Sequence, residues 1–273
     1  MTGWQHPDPA AAAPGEIVGI YPIELSPEES ELVNNHLFRA QANYPVSHYI
    51  KAKYFFDVLH SQTISAKRLD LYEDTSEGLY PEANRHFDSP FIREMPVIRD
   101  RDAFMLSQAI HRMHCYAHCW FGVPQEDLTM WDDFGDLGKG ILVVSSTHRL
   151  LTSIVQDEKL FYELGVVTYW PDDKPIPDLH SSTVMFRKQP KFSGENEVRL
   201  LTQIRRDFLP KKADGSLDEC PERLPIKVQL DTLVDGIILG PRMALEDQKE
   251  VIEAIQRELP QAKVSRSRFD PRI

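Results

Sequence analysis

The chain has 273 residues, 41% of them hydrophobic and 27% charged, with 31 basic against 42 acidic side chains and a formal charge of −11. That length is ample for a sizeable apolar core, and the acidic balance argues against broad nucleic-acid binding, which needs a basic footprint, without excluding a local basic patch. No apolar run reaches the roughly 18 residues of a membrane span, the first residues lack the basic start and apolar stretch of a secretory signal, and three cysteines fit a reducing cytosol better than a disulfide scaffold; the expectation is a cytoplasmic globular protein without a membrane partner.

Residues 1–25, rich in Pro and Ala, read as a mobile leader, and residues 26–273 as one α+β domain. Ser26-Pro-Glu-Glu29 has the form of a capping box and opens a helix through Leu32, Val33, His36 and Leu37. The stretch 47–69 predicts strand, helix, strand. Residues 72–100, with few apolar anchors, predict a long surface excursion, and 101–113 a helix leading into a strand at Cys115–Phe121. Further strands are expected at 140–145, 165–170, 197–204, 226–230, 236–240 and 263–268, with helices around 147–154 and 246–259. Strands and helices do not alternate regularly, and no Gly-rich phosphate loop joins a strand to a helix, which disfavours Rossmann and P-loop folds.

Three constellations carry possible chemistry. On a continuous helix through His111-x-x-His114-Cys115-x-x-His118-Cys119, the side chains of His111, Cys115, His118 and Cys119 would share a face and supply four zinc ligands. Tyr116, Ala117, Trp120 and Phe121 favour a strand, which splits that set across two faces, so no metal is expected. Met130-Trp131-Asp-Asp-Phe134 precedes a Gly- and Asp-rich stretch; the aromatic pair reads either as a core anchor or as a floor on which a planar group stacks. Glu195, Glu197 and Arg199 project on one face if the strand begins near Glu195. Two carboxylates so placed repel, which suits acid/base or cation-stabilising work, while Arg199 beside Glu197 equally makes an ordinary ion pair.

Taken together, Tyr116-Ala-His-Cys-Trp120, Glu126, Met130-Trp-Asp-Asp-Phe134, Gly138-Lys-Gly-Ile141, Gly165-Val-Val-Thr-Tyr169, Phe186-Arg-Lys188, Glu195-Asn-Glu-Val-Arg199 and Ile226-Lys-Val-Gln-Leu230 resemble a bacterial domain family of unknown function. His48-Tyr49 through Asp74 and Glu77-Gly78 match its upstream block, so the resemblance covers roughly residues 46 to 260. That family is in turn distantly similar to ADP-ribosyltransferases. The resemblance implies two small, twisted, mostly antiparallel sheets with flanking helices, and NAD as a consumed substrate. It implies that Glu197 stabilises the cation formed when the nicotinamide–ribose bond breaks, and that Glu195 orients or deprotonates the acceptor. His48, with Tyr49, would bind the adenosine ribose, and Trp131 with Phe134 would wall the nicotinamide pocket; Phe134 stands where a Tyr is commoner. The expected function is an ADP-ribosyltransferase or NAD glycohydrolase, a toxin or defence effector acting on a protein or nucleic acid. The alternatives are a non-catalytic binding module with a structural Glu/Arg network, and a metal-dependent nuclease.

Overall fold

The computed structural model describes residues 43–85, 108–123, 125–174, 183–214 and 217–272. The expected leader and the helix from Ser26 lie outside these residues, as does most of the expected surface excursion; of the helix expected over 101–113, residues 108–112 are described and helical.

Strand, helix and strand open the described chain as β1 (Pro45–Ile50), α1 (Ala52–Ser61) and β2 (Thr63–Arg68). Phe55 and Leu59, one turn apart, are the buried residues of α1, and the helix stops where Gln62 turns to φ 52° and its N–H bonds the Val58 carbonyl. β3 (Cys115–Phe121) follows, then α2 (Leu128–Asp133), whose Asp127 side chain accepts from the Met130 N–H as an N-cap. β4 (Ile141–Ser146) passes into α3 (Thr147–Ser153), capped by Ser146. β5 (Leu160–Val166), β6 (Thr168–Tyr169), β7 (Arg187–Lys188) and β8 (Glu197–Ile204) come next. The chain continues through β9 (Arg223–Lys227), α4 (Leu230–Leu233), β10 (Gly236–Leu239), α5 (Leu245–Glu258) and β11 (Lys263–Arg266).

The fold is α+β and mostly antiparallel, but the strands do not make two small sheets. One sheet of nine runs β11-β10-β4-β1-β3-β2-β9, with β8 also on β3 and β5 on β8; β6 and β7 form a separate two-stranded parallel pair. The reason is β3. Along one edge it pairs with β8 over its whole length. On the other edge it meets β1 at Phe121 and β2 at Tyr116 and Ala117, so two arms that would otherwise part are joined in a fork. The strand expected at 165–170 begins earlier, at Leu160, and breaks at Val167, whose N–H bonds the Glu197 carbonyl. The strand expected at 226–230 begins at Arg223, and Leu230 instead opens α4.

Register separates the two faces, because directly opposed residues share a face. Val46, Ile64, Ala66, Tyr116, Trp120, Ile141, Val143, Tyr162, Leu164, Val198 and Leu200 form the main core with Phe55 and Leu59 of α1 and Val251, Ile255 and Leu259 around α5. The opposite face carries a smaller apolar cluster, Tyr49, Phe121, Trp131 and Leu142. It also carries the ionic residues described next.

Candidate functional site

β8 begins at Glu197, not at Glu195. Pro190 starts a 3-10 turn through Glu195, and Asn196 at φ 39° breaks the alternation before the strand. Glu195 therefore reaches the site from a turn, while Glu197 and Arg199 share one strand face at period two. The turn still delivers its carboxylate to the same place through Lys188. The Lys188 ammonium is paired with Glu195, lies 2.9 Å from Glu197 Oε2 and 3.4 Å from Glu77 Oε1. Arg199 donates from Nε to Glu197 Oε1 at 2.7 Å and sets Nη2 2.9 Å from Glu77 Oε2, while Nη1 donates to the Met185 carbonyl. The result is three carboxylates around two cations.

The elements that assemble this cluster lie far apart in sequence. The β6–β7 pair sets Tyr169 directly beside Lys188, and the Tyr169 hydroxyl accepts from the Glu197 N–H at 2.9 Å. Glu77 sits in a tight turn; Gly78 follows it at φ +67°, and a Cβ there would come 2.8 Å from Met185 Sδ. On β3, Cys119 stands directly opposite Arg199 and Phe121 opposite Glu197. The Tyr72 hydroxyl donates to the Ala117 carbonyl at 3.1 Å and lies 3.4 Å from Cys119 Sγ.

Exposure ranks the members. The side chains of Glu77 and Arg199 are 0% exposed, Glu197 3% and Lys188 7%, against 26% for Glu195. Burial alone would raise the Glu197 carboxyl, but Arg199 and Lys188 outweigh it and hold the group at about 2. For Glu77 burial wins, and its carboxyl is raised despite the same two cations. Burial would lower Lys188 and Arg199, but Glu197 and then Glu77 outweigh it and raise both. Burial pushes the Cys119 thiol and the Tyr72 and Tyr169 hydroxyls upward, so all three keep their protons at neutral pH. Chemically this is a preorganised ionic frame, of which one carboxylate, Glu195, is open to a ligand.

Tyr49 and Trp131 come close to this frame on its own face. The Tyr49 and Trp131 rings meet edge-on at 4.9 Å, Tyr49 meets Phe121 at 6.0 Å, and Phe121 is the ladder partner of Glu197. Trp131 is fully buried and donates from Nε1 to Glu126 Oε2 at 3.1 Å; it is a core anchor. The Tyr49 hydroxyl accepts from the Asp127 N–H at 2.9 Å. Phe134, just past α2, is 47% exposed and separate from that cluster.

His48 lies on the other face, its ring tilted against those of His118 at 4.5 Å and Trp120 at 5.4 Å. Its Nδ1 donates to the Cys119 carbonyl at 2.9 Å. That carbonyl falls in the fork, between the β1 contact at Phe121 and the β2 contact at Ala117, so the imidazole stands in for a missing strand partner. β3 is a strand, and it puts Cys115 and Cys119 on one face and His118 on the other. Among the described residues no group of three or more His, Cys, Asp or Glu could hold a metal ion, and no helix is long and apolar enough to cross a membrane. A groove of about 470 Å³ lies between α5 and β10–β11, lined by Leu239, Ile252, Ile255, Leu259 and Val264, and shares no residue with the ionic cluster.

Sequence reasoning reached Glu195, Glu197 and Arg199 as chemistry, but not Glu77, Lys188, Tyr72 or Tyr169. Glu77 left one local signal, the glycine after it. Comparison with family models, with curated proteins and with solved structures returns no match.

Proposed function

We propose that the chain is an NAD-consuming enzyme, an ADP-ribosyltransferase or NAD glycohydrolase, in which Glu195 is the carboxylate that meets the substrate. One observation carries this reading: of five interlocked charged side chains, only Glu195 has more than a tenth of its side chain exposed. Burying charges is costly, and such frames are expected where a carboxylate must be fixed before reaction. The roles shift from those the resemblance implies. Glu197 is engaged by Arg199 and Lys188 and acts as a positioning residue; Glu195 faces the developing cation.

In the reaction the bond from the ribose anomeric carbon to the nicotinamide nitrogen breaks, and its electron pair leaves with neutral nicotinamide. The ribose passes through an oxocarbenium-like state, which a fixed carboxylate stabilises as charge develops. Water or an acceptor group then attacks the anomeric carbon and gives up its proton, for which Glu195 is the nearest open base. Tyr49 and Trp131 back the site from beneath Phe121, and this reading gives His48 no contact with substrate. A cytoplasmic toxin or defence effector with a protein or nucleic-acid acceptor goes with the same proposal.

The test is nicotinamide release from NAD by the purified chain, with and without candidate acceptors. Glu195→Gln is expected to lower the rate by about 10²-fold or more while leaving the melting temperature near its original value. No release by the unaltered chain, together with no NAD-induced thermal shift, overturns the reading. The second reading, a non-catalytic binding module, is favoured by the mutual burial of Glu197 and Arg199; it expects no release, and no change in NAD affinity in Glu195→Gln.

A further inference from the structure

Lys67 of β2 and Arg223 of β9 stand directly opposite each other, and Lys227 stands opposite Thr63 on the same face. Directly opposed residues have Cβ atoms about 4.5–5.5 Å apart, and like charges in that arrangement destabilise a sheet. Among the described residues no carboxylate lies within ion-pair distance of any of the three. Among the described residues the opposed pair is therefore without a counter-charge. Arg223 and Lys227 are exposed and Lys67 is half-buried. Between them Pro225 removes a backbone donor from the strand at this end of the sheet, which disfavours addition of a further strand and leaves side-chain recognition.

The basic face runs into the ionic site. Lys67 Nζ lies 5.0 Å over the Tyr72 ring, and the Tyr72 hydroxyl is 3.4 Å from Cys119 Sγ, across the ladder from Arg199. The partner of Lys67 on β3, Ala117, and the partner of Glu197, Phe121, are four residues apart, about 14 Å along the strand. Lys67 lies one strand to one side of β3 and Glu197 one strand to the other, with Arg223 a strand further out, so the nucleotide would run diagonally across the sheet with Lys67 at the nearer end of its diphosphate. We propose that Lys67 and Arg223 bind the diphosphate of a nucleotide whose reacting end lies at Glu195, with Lys227 four residues further along β9; the second half of that statement rests on the NAD-consuming reading. A diphosphate supplies the missing negative charge and relieves the repulsion of the opposed pair.

Calorimetric titration of the full chain with inorganic pyrophosphate, and separately with ADP, tests this at two salt concentrations. Binding is expected for both ligands and weaker at high salt. Lys67→Met combined with Arg223→Met should weaken it tenfold or more, whereas Lys263→Met on β11 should not. The melting temperature of Arg223→Met without ligand should stay level or rise, since a like-charge contact is lost. No binding at millimolar pyrophosphate or ADP, or equal binding by the double variant, overturns the proposal. Nicotinamide release separates the two ideas. Pair-dependent pyrophosphate binding without release sustains the anion site and sinks the NAD-consuming reading. Release with an unchanged KM for NAD in the double variant sustains that reading and sinks the anion site.

Discussion

Glu77 and Glu197 lean on the same two cations, yet burial raises one carboxyl and its partners hold the other at about 2. Glu197 has Arg199 Nε at 2.7 Å and Lys188 Nζ at 2.9 Å; Glu77 has Arg199 Nη2 at 2.9 Å but Lys188 only at 3.4 Å, and the neighbouring Glu197 charge adds to burial in raising it. The two groups then act on stability with opposite signs. The contribution of Glu197 is fully present above the unfolded carboxyl value of about 4.3 and is lost as pH falls toward about 2. Glu77 binds its proton more tightly folded than unfolded, so stability falls as pH rises from about 4.3 through its raised folded value. Denaturation midpoints measured across pH should therefore show Glu77→Gln flattening the decline that sets in above about pH 4.3 and keeping the acid limb. Glu197→Gln should remove the acid limb. An unchanged profile in both variants would mean that the cluster does not set the pH response.

At the scale of elements, what was legible followed from local pattern. The bounds of β8 could be read from the pattern of Glu197 to Ile204, and β3 from its aromatic residues despite the His and Cys residues that mimic a metal motif. Of the two readings that its aromatic pair allowed, Trp131 takes the core-anchor one, fully buried on α2, while Phe134 stays exposed. Glu195 defeated the pattern because a 3-10 turn and a left-handed Asn196 intervene. Glu77 and Lys188 were hidden for another reason: their partners come from β8 and are chosen by tertiary packing, which no local window contains. Because Trp131 anchors α2 through both packing and its bond to Glu126, Trp131→Ala should cost about 3–5 kcal/mol by urea denaturation. A loss under about 1 kcal/mol would mean that α2 is held elsewhere.

For the whole molecule, the fork is what the sequence did not disclose. Two small sheets were the natural expectation, and one shared strand joins them instead. The join is stabilised by neutral imidazoles: burial lowers both His48 and His118, and the charges of His48 and Arg223 lower His118 further. A histidine with a lowered folded value contributes stability that is present above the unfolded value of about 6.5 and is lost as pH falls below it. Stability should thus begin to fall below about pH 6.5, in a window separate from that of Glu197, and His118→Met should flatten this first decline. A profile level down to about pH 5 in the unaltered chain would show that the fork tolerates charge.

The fork also has a kinetic consequence. β1 closes onto β4, β2 onto β9 and β3 onto β8, so each early strand waits for a partner made much later in the chain. Such non-local pairing slows folding toward the millisecond-to-second range. Until residues 197–204 arrive, Cys115–Phe121 is an unsatisfied, aromatic-rich edge open to other chains. Glu197 and Arg199 enter with β8, so the closing of that edge and the dehydration of their ion pair are one event.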